Sequence, residues 1–280
     1  MPLLDSHVHL QDKRFTDLEG VLRRAEVAGV GRMITSATSP GDWNLVAGLG
    51  RKYQQILATF GIHPWYATKI SGSWQTWFDD LLANYVSAGG YRAGVGEIGL
   101  DFAMRVCDRK RQEEVFREQL ALASERKRPV VIHSVRANPQ VIDVIKEYSG
   151  VPAFLMHGFA GTGSEVDKLI DLGGWFSFSW SGLTRSGDKR VAALEAVPRD
   201  RILLESDGPI LMPTREVFGR QTPPILVQEL HGEGFLVDEP GTLPKTLAKV
   251  AGVKKMSHDD FSQQLALNEK RFLASWERVE

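Results

Sequence analysis

The sequence predicts an α/β chain closed as a (β/α)8 TIM barrel, and three observations carry that reading. Short apolar or β-branched runs alternate with longer stretches whose apolar residues recur at three and four spacing, the signature of parallel strands joined by helical crossovers. Eight such strands can be counted along the chain. Its 280 residues match the roughly 250 that a barrel of this kind takes.

The strands are read at residues 3–9, 32–36, 56–62, 92–97, 130–133, 153–157, 175–179 and 202–207. Helical periods lie between them, at 18–28, 43–53, 74–86, 111–126, 139–148, 164–172 and 188–197. Gly29, Pro40, the Gly89-Gly90 pair, Pro129, Pro152 and the Gly173-Gly174 pair punctuate the joints, where a helix must stop and the chain must turn. Past the eighth strand, Pro209, Pro213, Pro223 and Pro224 mark a long loop, which inside a compact domain points to function. A helix is expected at 225–231 and a long one at 257–277, the second opened by a Ser257/Asp260 cap with His258 exposed on its first turn. No linker or further repeat interrupts the pattern, so residues 1–280 read as a single domain.

Composition excludes several classes. Lys plus Arg (34) nearly equals Asp plus Glu (35), so no global field steers a polyanion and nucleic-acid binding needs a local cluster. With 42% hydrophobic and 25% charged residues, the chain is neither disordered nor fibrous. The one cysteine, Cys107, cannot pair within the chain and reads as an ordinary thiol in a reducing, cytoplasmic setting. No apolar run approaches ~18 residues and no charged apolar leader occurs, so neither a membrane span nor a signal peptide is expected. No obligate protein partner is evident.

The polar residues on the strands carry the chemistry. In Asp5-Ser6-His7-Val8-His9, strand alternation puts Asp5, His7 and His9 on one face and Leu4, Val8 and Leu10 on the other. His63, His133 and His157 follow at or just after the third, fifth and sixth strands, Glu97 ends the fourth and Asp207 the eighth. Barrel active sites are built at those C-terminal ends. Each residue alone is compatible with a satisfied polar group at a strand mouth; their concentration argues for a metal centre. Two divalent cations can clamp the attacking and leaving oxygens of a displacement when a carboxylate bridges them. On that logic His7, His9 and Asp207 hold one ion, His133 and His157 the other, and Glu97 bridges. Asp207 is also placed to take the proton of a bridging water. Asp5 and Glu205 share strand faces with ligands and would orient metal-bound imidazoles, although Glu205 could instead pair with an arginine at the mouth. Imidazole and carboxylate donors suit Zn²⁺, Mn²⁺ or Fe²⁺ better than Mg²⁺, which prefers an oxygen shell.

Six motifs in order, Asp5-Ser6-His7-Val8-His9, Gly61-Ile62-His63-Pro64, Gly96-Glu97-Ile98-Gly99-Leu100-Asp101, Ile132-His133-Ser134, His157-Gly158-Phe159-Ala160-Gly161 and Glu205-Ser206-Asp207-Gly208-Pro209, resemble the TatD family of metal-dependent hydrolases within the amidohydrolase-type barrels. Asn268 and Phe272 fit the family's ending, so the resemblance spans the chain. It implies a dinuclear site with Glu97 as the bridge, a deoxyribonuclease-type activity of the 3′ to 5′ exonuclease kind, and Mg²⁺ as the usual assay metal. Gly158 and Ala160 stand where many members carry Cys and Ser, and Ser206 and Gly208 where Thr and Ala are commoner. The loop Phe218-Gly219-Arg220-Gln221-Thr222-Pro223-Pro224 also departs from the family pattern, which bears on substrate choice.

Arg105, Arg136 and Arg185, in loops at the mouth, are the candidates for phosphate contacts, although a loop arginine is more often simply solvated. Trp65 and Trp180 occupy loops where bases could stack, and His63 stands beside them. Trp43, Trp74, Trp77 and Trp276 read as helix packing. These residues permit nucleic acid without requiring it; DNA or a nucleotide is the substrate that the resemblance implies. Two other readings stay open: a dinuclear carboxylic ester, lactone, amide or aminoacyl-ester hydrolase, since the same attack serves carbonyl carbon, and a protein with a structural metal alone.

Overall fold

The computed structural model describes residues 2–70, 72, 74–185, 188–209 and 238–276. Its eight parallel strands follow one another in chain order around one sheet: β1 (Leu3–Val8), β2 (Val30–Ser36), β3 (Ile56–Phe60), β4 (Gly94–Asp101), β5 (Val130–Val135), β6 (Phe154–Met156), β7 (Gly174–Phe178) and β8 (Ile202–Leu204). Backbone hydrogen bonds carry the sheet round on itself beyond β8, from Asp207 N to His7 O (3.0 Å) and from His9 N to Gly208 O (2.7 Å). The expected helices are α1 (Leu18–Val27), α2 (Trp43–Lys52), α3 (Trp74–Asn84), α4 (Arg109–Glu125), α5 (Asn138–Ile145) and α6 (Gly163–Asp171). A short α7 (Trp180–Arg185) precedes the expected α8 (Asp188–Ala196), and α9 (Leu243–Val253) and α10 (His258–Leu273) complete the described chain. Neither α7 nor α9 is read from sequence. The divergent 218–224 loop and the helix expected at 225–231 lie outside the described residues. Ser257 caps α10 as predicted, accepting from Asp260 N at 3.0 Å. Among the described residues no helix is long and apolar enough to cross a membrane.

Two apolar layers result from the strand alternation. Val8, Met33, Ala58, Val95, Ile132, Met156, Phe176 and Leu204 face outward into the helix layer. Leu4, Ile34, Leu57, Val131, Leu155, Trp175 and Leu203 face inward, one from each of seven strands, and pack on Phe272, Leu273 and Trp276 from the end of the chain. The eighth strand, β4, contributes Gly94, where an added Cβ would lie 2.6 Å from the Trp276 ring. The barrel is thus plugged at its N-terminal end by its own last helix. Asn268 pins that helix through Nδ2, which donates to the Arg199 and Ile202 carbonyls at 2.8 Å each.

Glu269 adds a second pin, accepting from Leu4 N at 2.9 Å. Burial pushes its carboxyl up to about 7, against the opposing pull of Arg32. The native state therefore binds the proton more tightly than the unfolded chain. That stabilisation is complete below the ordinary value of 4.5 and is lost as pH rises through about 7, roughly 3 kcal/mol at most. Glu269→Gln, which keeps an acceptor for Leu4, is expected to raise Tm at pH 8.5 and to lose most of that advantage at pH 5. Thermal melts at the two pH values check this, and an equal difference at both would refute it.

The alternation fails at two places, and both matter for function. Leu4 packs inside the barrel while Val8 and Leu10 pack outside it, so a simple period of two does not run through β1. The pairing of β1 with β2 shifts register between Asp5 and Val8, a bulge of the kind that re-aims side chains, and it turns His7 and His9 inward. Asp5 consequently does not share their face, contrary to the sequence expectation. A second register shift, between Val95 and Ile98 of β4, accompanies the inward turn of Glu97.

Candidate metal centre

At the C-terminal end of the barrel the side chains converge on Glu97, which is almost wholly buried. Its two oxygens face different neighbours. Oε2 lies 3.3 Å from His9 Nε2 and 3.5 Å from His7 Nε2. Oε1 lies 2.8 Å from both His133 Nδ1 and His157 Nε2, and 3.3 Å from His63 Nε2. Asp207 Oδ1 approaches from the β8 side, 3.8 Å from His7 Nε2. It is 26% exposed, whereas His7, His9 and Glu97 are closed off from solvent. Among the described residues four overlapping groups bring donor atoms close enough to share a cation: His7, His9 and Asp207; His7, Glu97 and His157; His63, Glu97 and His133; and His157, Glu205 and Asp207.

The donor set fits a cation on chemical grounds. Glu97 Oε2 is buried without a hydrogen-bond donor, a costly state for a carboxylate oxygen unless a positive charge meets it. His9 Nδ1 lies 2.8 Å from the Ser36 carbonyl, which can only accept. That nitrogen therefore carries a proton, so that a cation at the centre would meet Nε2, the nitrogen left with a lone pair in the neutral ring. His7 Nδ1 is held by Ser36 Oγ at 3.1 Å. One serine at the end of β2 thus orients the imidazoles of both His7 and His9.

The sequence matches the family described as TatD related DNase over residues 4–274. This chain belongs to the TatD family. It is 27% identical over 272 residues to the "Uncharacterized metal-dependent hydrolase YabD" of Bacillus subtilis, covering 96% of this chain and 98% of that one. It is 32% identical over 215 residues to the "3'-5' ssDNA/RNA exonuclease TatD" of Edwardsiella piscicida, covering 75% and 81% of the two chains. Among solved structures, the TatD homologue YJJV of Escherichia coli K12 superposes with a TM-score of 0.79 at 26% identity, over 96% of this chain and 97% of that one. The TatD-family hydrolase of Entamoeba histolytica shares the fold at a TM-score of 0.77 and 18% identity, over 100% and 99% of the chains.

Around the TatD centre Asp5 takes a different position from that expected, whereas Glu205 stands behind an imidazole. Asp5 accepts from Ser206 N (2.9 Å), Ser206 Oγ (2.5 Å) and His7 N (3.3 Å). It braces the backbone of β1 against the end of β8 and makes no contact with an imidazole. Glu205 accepts from Gly158 N (2.8 Å) and Ser177 Oγ (2.5 Å) and lies 3.8 Å behind His157 Nδ1. The left-handed backbone of Gly158 (φ 53°) is the conformation glycine adopts readily. Burial pushes Asp5 up to about 8 and Glu205 to about 7. For Glu97 burial pulls in the same direction, but His157, His63 and His133 outweigh it and hold the carboxyl well below its usual range. His133 is driven down by burial yet raised overall to about 10, because Asp101 and Glu97 both face it. Burial lowers His63 to about 4.

Asp101 is the residue sequence reasoning missed. Its Oδ2 lies 3.2 Å from His133 Nε2 and accepts from Trp65 Nε1 at 2.7 Å. Trp65, expected as a base-stacking platform, is half-buried and packs edge-on against His63 with ring centroids 4.5 Å apart. Two buried glutamines of α4 then clamp the strand ends. Gln112 binds Asp101 N (2.9 Å) and Asp101 O (3.2 Å), and Gln119 binds Ile62 N (2.7 Å) and Ile62 O (3.2 Å). Two amides seven residues apart on the apolar face of one helix were the available signal. Arg105 and Arg136 are exposed, and among the described residues neither touches the cluster; Arg136 holds a left-handed backbone (φ 55°) just past β5. The Arg185 side chain lies outside the described set.

Proposed function

We propose that this single-domain TatD-family hydrolase is a 3′ to 5′ exonuclease on single-stranded nucleic acid that works with two divalent cations. The division of the Glu97 oxygens carries the reading: one faces His7 and His9, the other His63, His133 and His157. A carboxylate with its lone pairs turned toward two histidine groups is built to be shared. On this reading His7, His9 and Asp207 hold one ion, His133 and His157 the other, with His63 and Asp101 beside the second. Two bound cations supply charge for a phosphodiester's oxygens and an acidified water. The chain's own part is to exclude solvent through the buried histidines, to fix the rings through Ser36 and Asp101, and to offer Asp207 as the partly exposed carboxylate that accepts the attacking water's proton. Zn²⁺, Mn²⁺ or Fe²⁺ matches the donors as isolated, with Mg²⁺ able to act in assay.

Support for the substrate class comes from relatives named as single-stranded DNA and RNA exonucleases. Purified protein given 3′-ended single-stranded oligonucleotides with Mg²⁺ or Mn²⁺ is expected to shorten them stepwise from the 3′ end. Elemental analysis is expected to find two metals per chain. Intact oligonucleotides beside hydrolysed lactones or aminoacyl esters would move the assignment to a carboxylic ester hydrolase. Fewer than one metal per chain after reconstitution would remove the two-ion centre.

A further inference from the structure

A cavity of about 610 Å³ is lined by Ser39, Pro40, Gly41, Tyr66, Lys69, Ile70, Trp74 and Trp77. Its walls are the loops that follow β2 and β3, together with the first turn of α3, which supplies Trp74 and Trp77. The loop after β2 begins at Ser36, which holds His7 and His9, and continues into Ser39 and Gly41. His63 N donates to Thr38 O at 2.8 Å, so the loop after β3 is bonded to it. The single 3-10 turn Pro64–Tyr66 then presents Trp65 to His63 and Tyr66 to the cavity. A chain leaving the centre past this turn therefore meets the cavity next.

The lining matches an unstacked base with its phosphate. Among the described residues no carboxylate lines it, and Lys69 is part of the lining, with Nζ 5.7 Å from the Tyr66 ring. Trp77 is 37% exposed, although helix packing was expected for it, and its ring is fixed edge-on against the fully buried Trp43 at 4.8 Å. Trp43 is itself anchored by Nε1 donating to Gly61 O at 2.9 Å. Exposed aromatic surface held in one orientation is ready to stack without an ordering cost. The volume falls in the range of small-ligand sites, roughly 300–1,000 Å³.

We infer that this cavity is a base-binding subsite of the exonuclease: it stacks a base of single-stranded substrate lying upstream of the scissile 3′ linkage on Trp77 and Tyr66, with Lys69 on the adjoining phosphate. The inference rests on the nuclease reading and adds where the strand runs. Stacking of one base on an aromatic ring strengthens binding by a factor of ~5 to ~150.

The test compares parent, Trp77→Ala, Trp77→Phe and Lys69→Ala in two assays with Mg²⁺. One measures hydrolysis of methyl p-nitrophenyl phosphate, which is too small to reach the cavity. The other measures binding of a fluorescein-labelled single-stranded oligonucleotide whose 3′ end is blocked with phosphorothioates. Trp77→Ala and Lys69→Ala are expected to weaken oligonucleotide binding at least fivefold and to leave small-ester hydrolysis unchanged, while Trp77→Phe restores most of the binding. A parent that binds the oligonucleotide through these residues without cleaving unprotected strands keeps the subsite and fails the nuclease reading. Variants that bind and degrade oligonucleotides like the parent overturn the subsite and leave the nuclease reading intact. A parent that does not bind the oligonucleotide also overturns the subsite.

Discussion

Glu97→Gln is expected to lower kcat/KM on a phosphodiester by ~10³ or more, the scale of losing a preorganised charged group in a buried site. Bound divalent metal should fall from two per chain to one or none. Gln has the shape of Glu but only one oxygen, and its NH2 must point at one of the two histidine groups. Either His7 and His9 or His63, His133 and His157 would then face a donor where Glu97 presents a lone pair within 2.8–3.5 Å. Steady-state kinetics and elemental analysis on the same preparation check both parts. A variant with full metal content and activity within tenfold of the parent would remove Glu97 from the bridging position.

Phe272→Ala is expected to destabilise the fold by about 3–5 kcal/mol, as deletion of a buried aromatic ring from a packed interior does. Phe272 is fully buried and its ring centroid lies 5.7 Å from that of Trp175, in the plug that fills the N-terminal end of the barrel. A Tm decrease on the order of 10 °C follows for a chain of this size. Metal content and kcat at 25 °C should stay at parent values, because the plug and the centre occupy opposite ends of the strands. Denaturant titration and thermal melts measure the first effect and kinetics the second. A melt superimposable on the parent's would show that α10 does not support the barrel.

Much of this protein is legible without coordinates, for a physical reason. Parallel strands joined by helices leave a two-period signal in the chain, and the histidines and carboxylates at successive strand ends can be grouped once the strands are taken to close in order. His7, His9, Glu97, His133, His157 and Asp207 can be named together on that basis. Pairing between distant segments carries no such local signal. The bulge in β1 depends on its register against β2, so alternation alone set Asp5 beside the imidazoles when it braces Ser206 instead. Asp101 enters the centre because β4 continues pairing with β5 as far as Asp101↔Val135, four residues beyond the end read from sequence.

The sequence by itself determined the strand order, the set of histidines and carboxylates that meets at the strand ends, and the family. The tertiary structure alone decided which face each of these side chains takes, that Ser36 and Asp101 hold the imidazoles, that the two glutamines of α4 clamp the backbone at Ile62 and Asp101, and that Trp77 opens onto a cavity. Those outcomes depend on register and packing between segments far apart in the chain, and a local period cannot encode the position of a neighbour it does not contact until the barrel closes.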